Sequence, residues 1–199
     1  MSYTIYISLI SFAFASSITP GPNNLMLMAS GANYGLRRTI PHILGISIGH
    51  AFMVFMVGVL LLKVFDTYHV LKSVLKTVSA TYMLWLAWKI ASAEPQEAKT
   101  TKGKPFTFLQ AAVFQWVNPK AWFMSITAIS AYAPQPLGVA TGAAIVAVIF
   151  ALINLPSVTV WAWIGVQVRR FLGSTGRLRA FNIIMAVLLI ASLYPMLMH

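Results

Sequence analysis

Acidic residues are nearly missing from this chain: three Asp and Glu stand against fourteen Lys and Arg in 199 residues, and Cys is absent altogether. Without thiols there is no disulfide, no thiolate metal site and no thiol redox chemistry. The three acids, Asp66, Glu94 and Glu97, all fall between apolar runs. The runs therefore hold neither the carboxylates a hard cation needs nor the thiolates a soft one needs, and no metal or other cofactor is expected. Hydrolytic chemistry lacks its parts too. There is no His-Glu-x-x-His, and the one helical Ser and His pair, Ser47 and His50, has no carboxylate in the runs to orient the imidazole. An enzyme is not expected. Charge of either sign is scarce: 9% of residues are charged and 59% are hydrophobic, against about 25% charged in a soluble domain. The formal charge of +11 does not point to nucleic acid, because the basic residues sit between apolar runs and form no stripe interleaved with aromatics.

What the chain has in abundance is apolar segments of about 20 residues, the length that spans a hydrocarbon core roughly 30 Å thick. They run from about Tyr3 to Asn33, Thr39 to Leu62, Val70 to Ala91, Phe106 to Tyr132, Gly138 to Val166 and Ala180 to Leu197. The expected fold is an all-α integral membrane protein of six transmembrane helices. Ala13-Phe14-Ala15 has the spacing of a signal-peptidase site, but no basic residue precedes it and the apolar run resumes after a short Pro/Gly interruption, so the segment is expected to stay. Basic residues fill alternate loops: Arg37 and Arg38; then Lys89, Lys99, Lys102 and Lys104; then Arg169, Arg170, Arg177 and Arg179. Those loops are expected to be cytoplasmic, with both termini outside. Lys72 and Lys76, one turn apart near His69, read as side chains reaching the outer headgroups.

A polar stretch over 92–105, with Glu94, Pro95, Glu97 and three lysines, separates residues 1–91 from residues 106–199, with three spans in each. An odd number of crossings reverses the second set, so the two are expected to form an inverted repeat. Each set opens with an interrupted span, at Thr19-Pro20-Gly21-Pro22-Asn23-Asn24 in the first and at Asn118-Pro119-Lys120 in the second. Pro removes a backbone donor and Gly relaxes the helix at such points. Breaks at matched positions of two halves point to a transport site near the middle of the bilayer, because a broken helix survives there only when it is buried in protein or lines a wet cavity. Half-helix N-termini favour a carboxylate, and freed carbonyls and Asn oxygens accept from an ammonium. A zwitterionic amino acid fits that inventory.

Two titratable residues lie deep in the spans. Lys120 either draws in the substrate carboxylate or trades a proton, or it is a structural cation capped by carbonyls of the facing break. His50 lies behind Gly45 and Gly49, whose spacing of four makes a packing face. Its imidazole either carries a coupling proton or is simply hydrogen-bonded. His42, near the cytoplasmic end, is the weaker proton candidate. Gln115 and Asn154 are further polar side chains in the fourth and fifth spans and join the candidate binding set. A structural or assembly subunit is one rival reading, which explains the glycines but not the paired breaks; a passive channel is another.

Several segments resemble the lysine exporter superfamily, and within it the threonine/homoserine efflux branch, over nearly the whole chain. They are the Thr19 to Asn24 segment, Gly35-Leu36-Arg37-Arg38, Gly45-Ile46-Ser47-Ile48-Gly49, the segment Ala80 to Lys89, and Phe114-Gln115-Trp116-Val117-Asn118-Pro119-Lys120-Ala121-Trp122. Ala80 to Lys89 looks most like the cysteine and O-acetylserine exporter subgroup. The resemblance implies efflux of small neutral amino acids or their derivatives across a bacterial inner membrane, driven by proton exchange. It also implies that Pro20, Gly21, Pro22, Asn23, Asn24, Asn118, Pro119 and Lys120 face the translocation path. The proton carrier is then His50, Lys120, the substrate or water. The implied partners are the amino-acid substrate and the lipid bilayer, with a homo-oligomer left open. One departure is the sixth span, Ala186 to Leu197, which lacks the glycine-bearing ending common in that family.

Overall fold

The computed structural model describes residues 3–61, 69–93, 104–133, 138–172 and 174–192. Asp66, Glu94, Glu97, most of the polar connection and the last seven residues lie outside the described residues, as do the side chains of Lys72 and Lys76. Every element described is helical. The helices are α1 (Tyr3–Ile18), α2 (Pro22–Tyr34), α3 (Leu36–Met56), α4 (His69–Ala91), α5 (Phe108–Phe114), α6 (Pro119–Tyr132), α7 (Val139–Leu172) and α8 (Thr175–Ala191). A π-helical turn, Val57–Leu61, prolongs α3, and a 3-10 turn, Gln115–Val117, follows α5.

The breaks read from the sequence are present and share a local design. The backbone is extended at Gly21 (φ −177°, ψ 176°) and at Asn118 (φ −92°, ψ 109°), and the Pro that follows each opens the next helix. Pro suits a first helical position because its missing N–H would have had no partner there. Across the first break α1 and α2 meet at a bend of 51°. Among the described residues two segments, Leu36–Leu60 and Val139–Leu172, are long and apolar enough to cross a bilayer singly, and α1 with α2 qualifies as a third when counted as one span. The remaining elements fall short of that measure for visible reasons. Helix α4 carries Lys72, Lys76 and Lys89, the second break divides its span into short helices, and α8 has 17 residues among those described.

Two boundaries move relative to the hydrophobic pattern. Helix α7 runs six residues past Val166, so that Arg169 and Arg170 form its last turn, where cations complement the helix dipole. Helix α8 starts before the apolar run, so Arg177 and Arg179 lie within it, behind a Ser174 cap that accepts from the Arg177 N–H. Hydropathy ends a span at its first charge; the hydrogen-bond ladder does not. Helix α5 starts on a capping box legible as Thr107-x-x-Gln110: the Thr107 hydroxyl accepts from the Gln110 N–H at 3.2 Å and the Gln110 side chain accepts from the Thr107 N–H at 3.1 Å.

Beside its apolar core the protein buries polar side chains and exposes large apolar ones. Asn24, Ser47, His50, Gln115, Asn118, Asn154 and Asn182 are buried, while Phe14, Phe52, Leu109, Phe123 and Leu152 are more than half exposed. That pattern suits a protein whose solvent is hydrocarbon. Helices α2 and α7 pass through the middle. Leu27 of α2, Ile43 and Ile46 of α3, Ala111 of α5, and Val158 and Ala162 of α7 form a buried cluster at their crossing. The small-residue face of α3 meets α5: a Cβ at Gly49 would stand 2.5 Å from Cα of Ala112, and one at Gly45 would strike the Phe108 carbonyl. The packing role expected for both glycines holds.

Candidate functional site

Ending α1 at Ile18 strands its last carbonyls, and each must find a donor or be costly at this depth. All are taken. The Ser16 carbonyl accepts from the Thr19 hydroxyl at 3.1 Å. The Ser17 carbonyl accepts from the Asn24 amide at 2.8 Å and the Ile18 carbonyl from the Trp161 indole at 3.0 Å. The Thr19 carbonyl accepts from the Asn24 amide at 2.7 Å and from the Lys120 ammonium at 2.8 Å. Lys120 also donates to the Thr19 hydroxyl at 3.0 Å and to the Pro20 carbonyl at 3.2 Å. Three ammonium donors thus meet three oxygens of the opposite break.

In the structure as it stands, the freed carbonyls read from the sequence as acceptors for an ammonium are bonded to the protein's own Lys120 and Asn24. Lys120 stands near the N-terminus of α6, the wrong end for a cation, and the partial negative charge at the C-terminal end of α1 offsets that. Gly21 makes the reach workable, because a Cβ there would lie 2.7 Å from Cδ of Lys120. Asn118 caps α6, its side-chain oxygen accepting from the Lys120 N–H at 3.1 Å.

Two amide pairs and a hydroxyl chain complete the lattice. Asn23 and Gln115 exchange hydrogen bonds at 2.8 and 3.2 Å, tying α2 to the turn after α5. Asn154 of α7 donates to the Ser17 hydroxyl at 3.1 Å and accepts from the Ser47 hydroxyl at 3.2 Å. His50 faces Ser125 of α6 at 3.4 Å and the edge of Phe150. Since the Ser125 hydroxyl donates to the Ala121 carbonyl at 2.8 Å, its oxygen must accept from His50. The imidazole is then protonated at Nε2, and Nδ1 is a buried acceptor without a partner among the described residues.

Gly21, Asn23, Asn24, His50, Asn118, Lys120 and Asn154 line one cavity of about 20 Å³, room for roughly one water. Of the sequence candidates, Gln115 stands behind that cavity as the partner of Asn23. Pro22 and Pro119 serve as helix starts. Pro20 is exposed and borders a separate apolar groove with Leu25, Met28, Trp161 and Leu188. Ser17, Ser125 and Trp161 were not read from the sequence. Trp161 alone left a signal, since it lies seven residues from Asn154 and so on the same face of α7.

Residues 14–192 match the family model described as LysE type translocator. The chain belongs to the LysE-type translocator family. The family is one of transporters, and no enzyme chemistry is called for. Curated relatives of this LysE-type chain include a cysteine/O-acetylserine efflux protein of Escherichia coli O139:H28, 30% identical over 192 residues that cover 96% of each chain. Proteins of the same name from Klebsiella pneumoniae and Escherichia coli K12 are each 29% identical, over 194 and 192 residues covering at least 95% of either chain. No solved structure matches.

Asn24 gives a direct test of the break. Asn24→Ala removes the Ser17 carbonyl's donor and one of two donors to Thr19, so the purified protein should lose about 1–3 kcal/mol of stability. The thermal midpoint in detergent measures this. An unchanged midpoint would show that the break does not depend on Asn24.

Proposed function

We propose that this chain is a bacterial inner-membrane exporter of small neutral amino acids or their derivatives, of the threonine, homoserine, cysteine and O-acetylserine class. It works as six transmembrane helices in two inverted three-helix repeats, with both termini outside, by alternating access coupled to proton antiport. The observation that carries this reading is the cross-bonded pair of breaks around a cavity of about 20 Å³. The names of the relatives support the substrate class, and the shared local design of Gly21-Pro22 and Asn118-Pro119 supports the repeat. A cavity for one water cannot hold an amino acid, so loading requires the breaks to part. The substrate carboxylate competes for Lys120 against the oxygens of Thr19 and Pro20, and its ammonium takes the carbonyls that Lys120 releases. The free Nδ1 of His50 takes the exchanging proton.

The test uses proteoliposomes preloaded with a panel of amino acids under an imposed pH gradient. Cysteine, O-acetylserine, threonine or homoserine should leave faster when the gradient is present, and His50→Gln should lose the gradient's effect while still exchanging substrate. Wild-type protein that moves none of the panel would favour a structural subunit. Movement indifferent to the gradient would remove proton coupling.

A further inference from the structure

A second cavity lies along α2 from the breaks, and the geometry points to a reception subsite for the head group of the substrate. It has a volume of about 60 Å³, three times the cavity at the breaks, and its largely apolar lining carries the polar side chains of Ser30, Asn33, Tyr34, His42, Lys89 and Lys104. The inference rests on the export reading given above and adds to it a place where the amino acid is held before translocation.

His42 is the observation that calls for a ligand. It is 1% exposed, and among the described residues neither ring nitrogen has a hydrogen-bond partner. A buried imidazole offers one donor and one acceptor, and leaving both unmet is a standing cost that a Leu or Phe of similar volume would not carry. Phe106 stacks on its ring at 5.3 Å, and the Lys89 ammonium lies 5.1 Å from the same Phe106 ring and 5.0 Å from that of Trp85. Two aromatic faces thus hold that ammonium at the cavity. Ser30 is set as an acceptor. The Thr39 hydroxyl donates to the Gly35 carbonyl at 2.9 Å, so in the 2.9 Å contact between Ser30 and Thr39 it is Ser30 that donates, leaving its lone pairs open.

The inventory suits a zwitterion. Lys89, Lys104 and the His42 N–H meet a carboxylate; the second His42 nitrogen and the Ser30 oxygen meet an ammonium. The Asn33 amide is held by a reciprocal pair with Asn182, at 2.8 and 3.2 Å, which keeps this wall in place. Along α2, Ser30 and Asn33 stand six and nine residues beyond Asn24, about 9 to 14 Å at 1.5 Å per residue. Leu27 and Ile46, both fully buried, lie between on α2 and α3. Substrate held at His42 is therefore separated from the breaks by one apolar layer.

The test measures half-saturating concentration separately at each face, with inside-out and right-side-out vesicles and cysteine or O-acetylserine as the probe. The double variant Lys89→Gln/Lys104→Gln, which removes two ammonium donors to the carboxylate, should raise the cytoplasmic value at least about tenfold, leaving the outer value unchanged. Added salt should raise the wild-type cytoplasmic value and leave that of the double variant nearly flat. His42→Leu should raise the cytoplasmic value too, while raising the thermal midpoint, because it deletes two unmet polar atoms; a purely structural histidine would change the midpoint alone. An unshifted cytoplasmic value in both variants, with wild type active, overturns the subsite and leaves the export reading standing. Wild type that transports no amino acid overturns both.

Discussion

Lys120→Met should lower gradient-driven amino-acid efflux by roughly 100-fold or more, the equivalent of about 3 kcal/mol of barrier, in the same proteoliposomes. The variant keeps most of the side chain's apolar stem and removes only the ammonium, so packing against Gly21 survives while the Thr19 and Pro20 oxygens lose their donor. On the proposed reading, in which the protein opens between these breaks, the ammonium serves both conformations: it ties the two breaks in the closed form and offers a charge to the carboxylate in the open one. A structural latch alone predicts something different. If Lys120 only tied the breaks, Lys120→Met would lose stability yet bind substrate with ordinary affinity. The export reading predicts that affinity falls as well. Equilibrium binding of cysteine or O-acetylserine to the purified variant separates the two, and undiminished efflux sinks both. Gly21→Ala is a milder version, because the added Cβ displaces Cδ of Lys120 from a 2.7 Å approach and leaves the charge in place. It should reduce efflux without abolishing it.

The breaks were legible because proline and glycine write backbone geometry directly into the sequence. Pro22 and Pro119 announce the helix starts, and both are found there. Helix identities followed from apolar length, and the glycines of α3 from their spacing. What failed to show was partnership. That Asn23 pairs with Gln115, 92 residues away, and Asn33 with Asn182, 149 away, depends on which helices become neighbours, and hydropathy carries no information about that. For the same reason the sequence shows that the break frees carbonyls but not that Asn24, Trp161 and Lys120 are the donors that bond them. His42 was discounted for lying near a helix end, yet its two unmatched nitrogens mark a cavity that periodicity cannot reveal. Charge misplaced two boundaries, since Arg169 and Arg179 end the apolar runs without ending the helices.

Gly31→Val and Gly165→Val should each cost more than about 3 kcal/mol, at or beyond the upper end of overpacking penalties, and leave little monodisperse protein after extraction. The two glycines are reciprocal. A Cβ at Gly31 of α2 would strike the Ala162 carbonyl of α7, and a Cβ at Gly165 of α7 would strike the Met28 carbonyl of α2 and stand 3.0 Å from the Ala32 nitrogen. The obstacle at each is backbone, which cannot rotate away as a side chain can, so either variant must drive the helices apart. Separation breaks the Trp161 bond to the Ile18 carbonyl and both bonds of Asn154, dismantling the wall of the break from behind. Gly176→Ala is the control, because no atom of the described residues lies within 4 Å of a Cβ there, and it should leave yield and midpoint unchanged or slightly higher. Yield and thermal midpoint of the three variants decide the matter; wild-type behaviour of either valine variant would show that α2 and α7 are not in backbone contact. On the reading proposed above, in which residues 1–91 rock against residues 106–199, the backbone-close contacts of α2 with α7 and of α3 with α5 are the pivots, and the opening is at the Lys120 and Asn23 ties, where only side chains have to part.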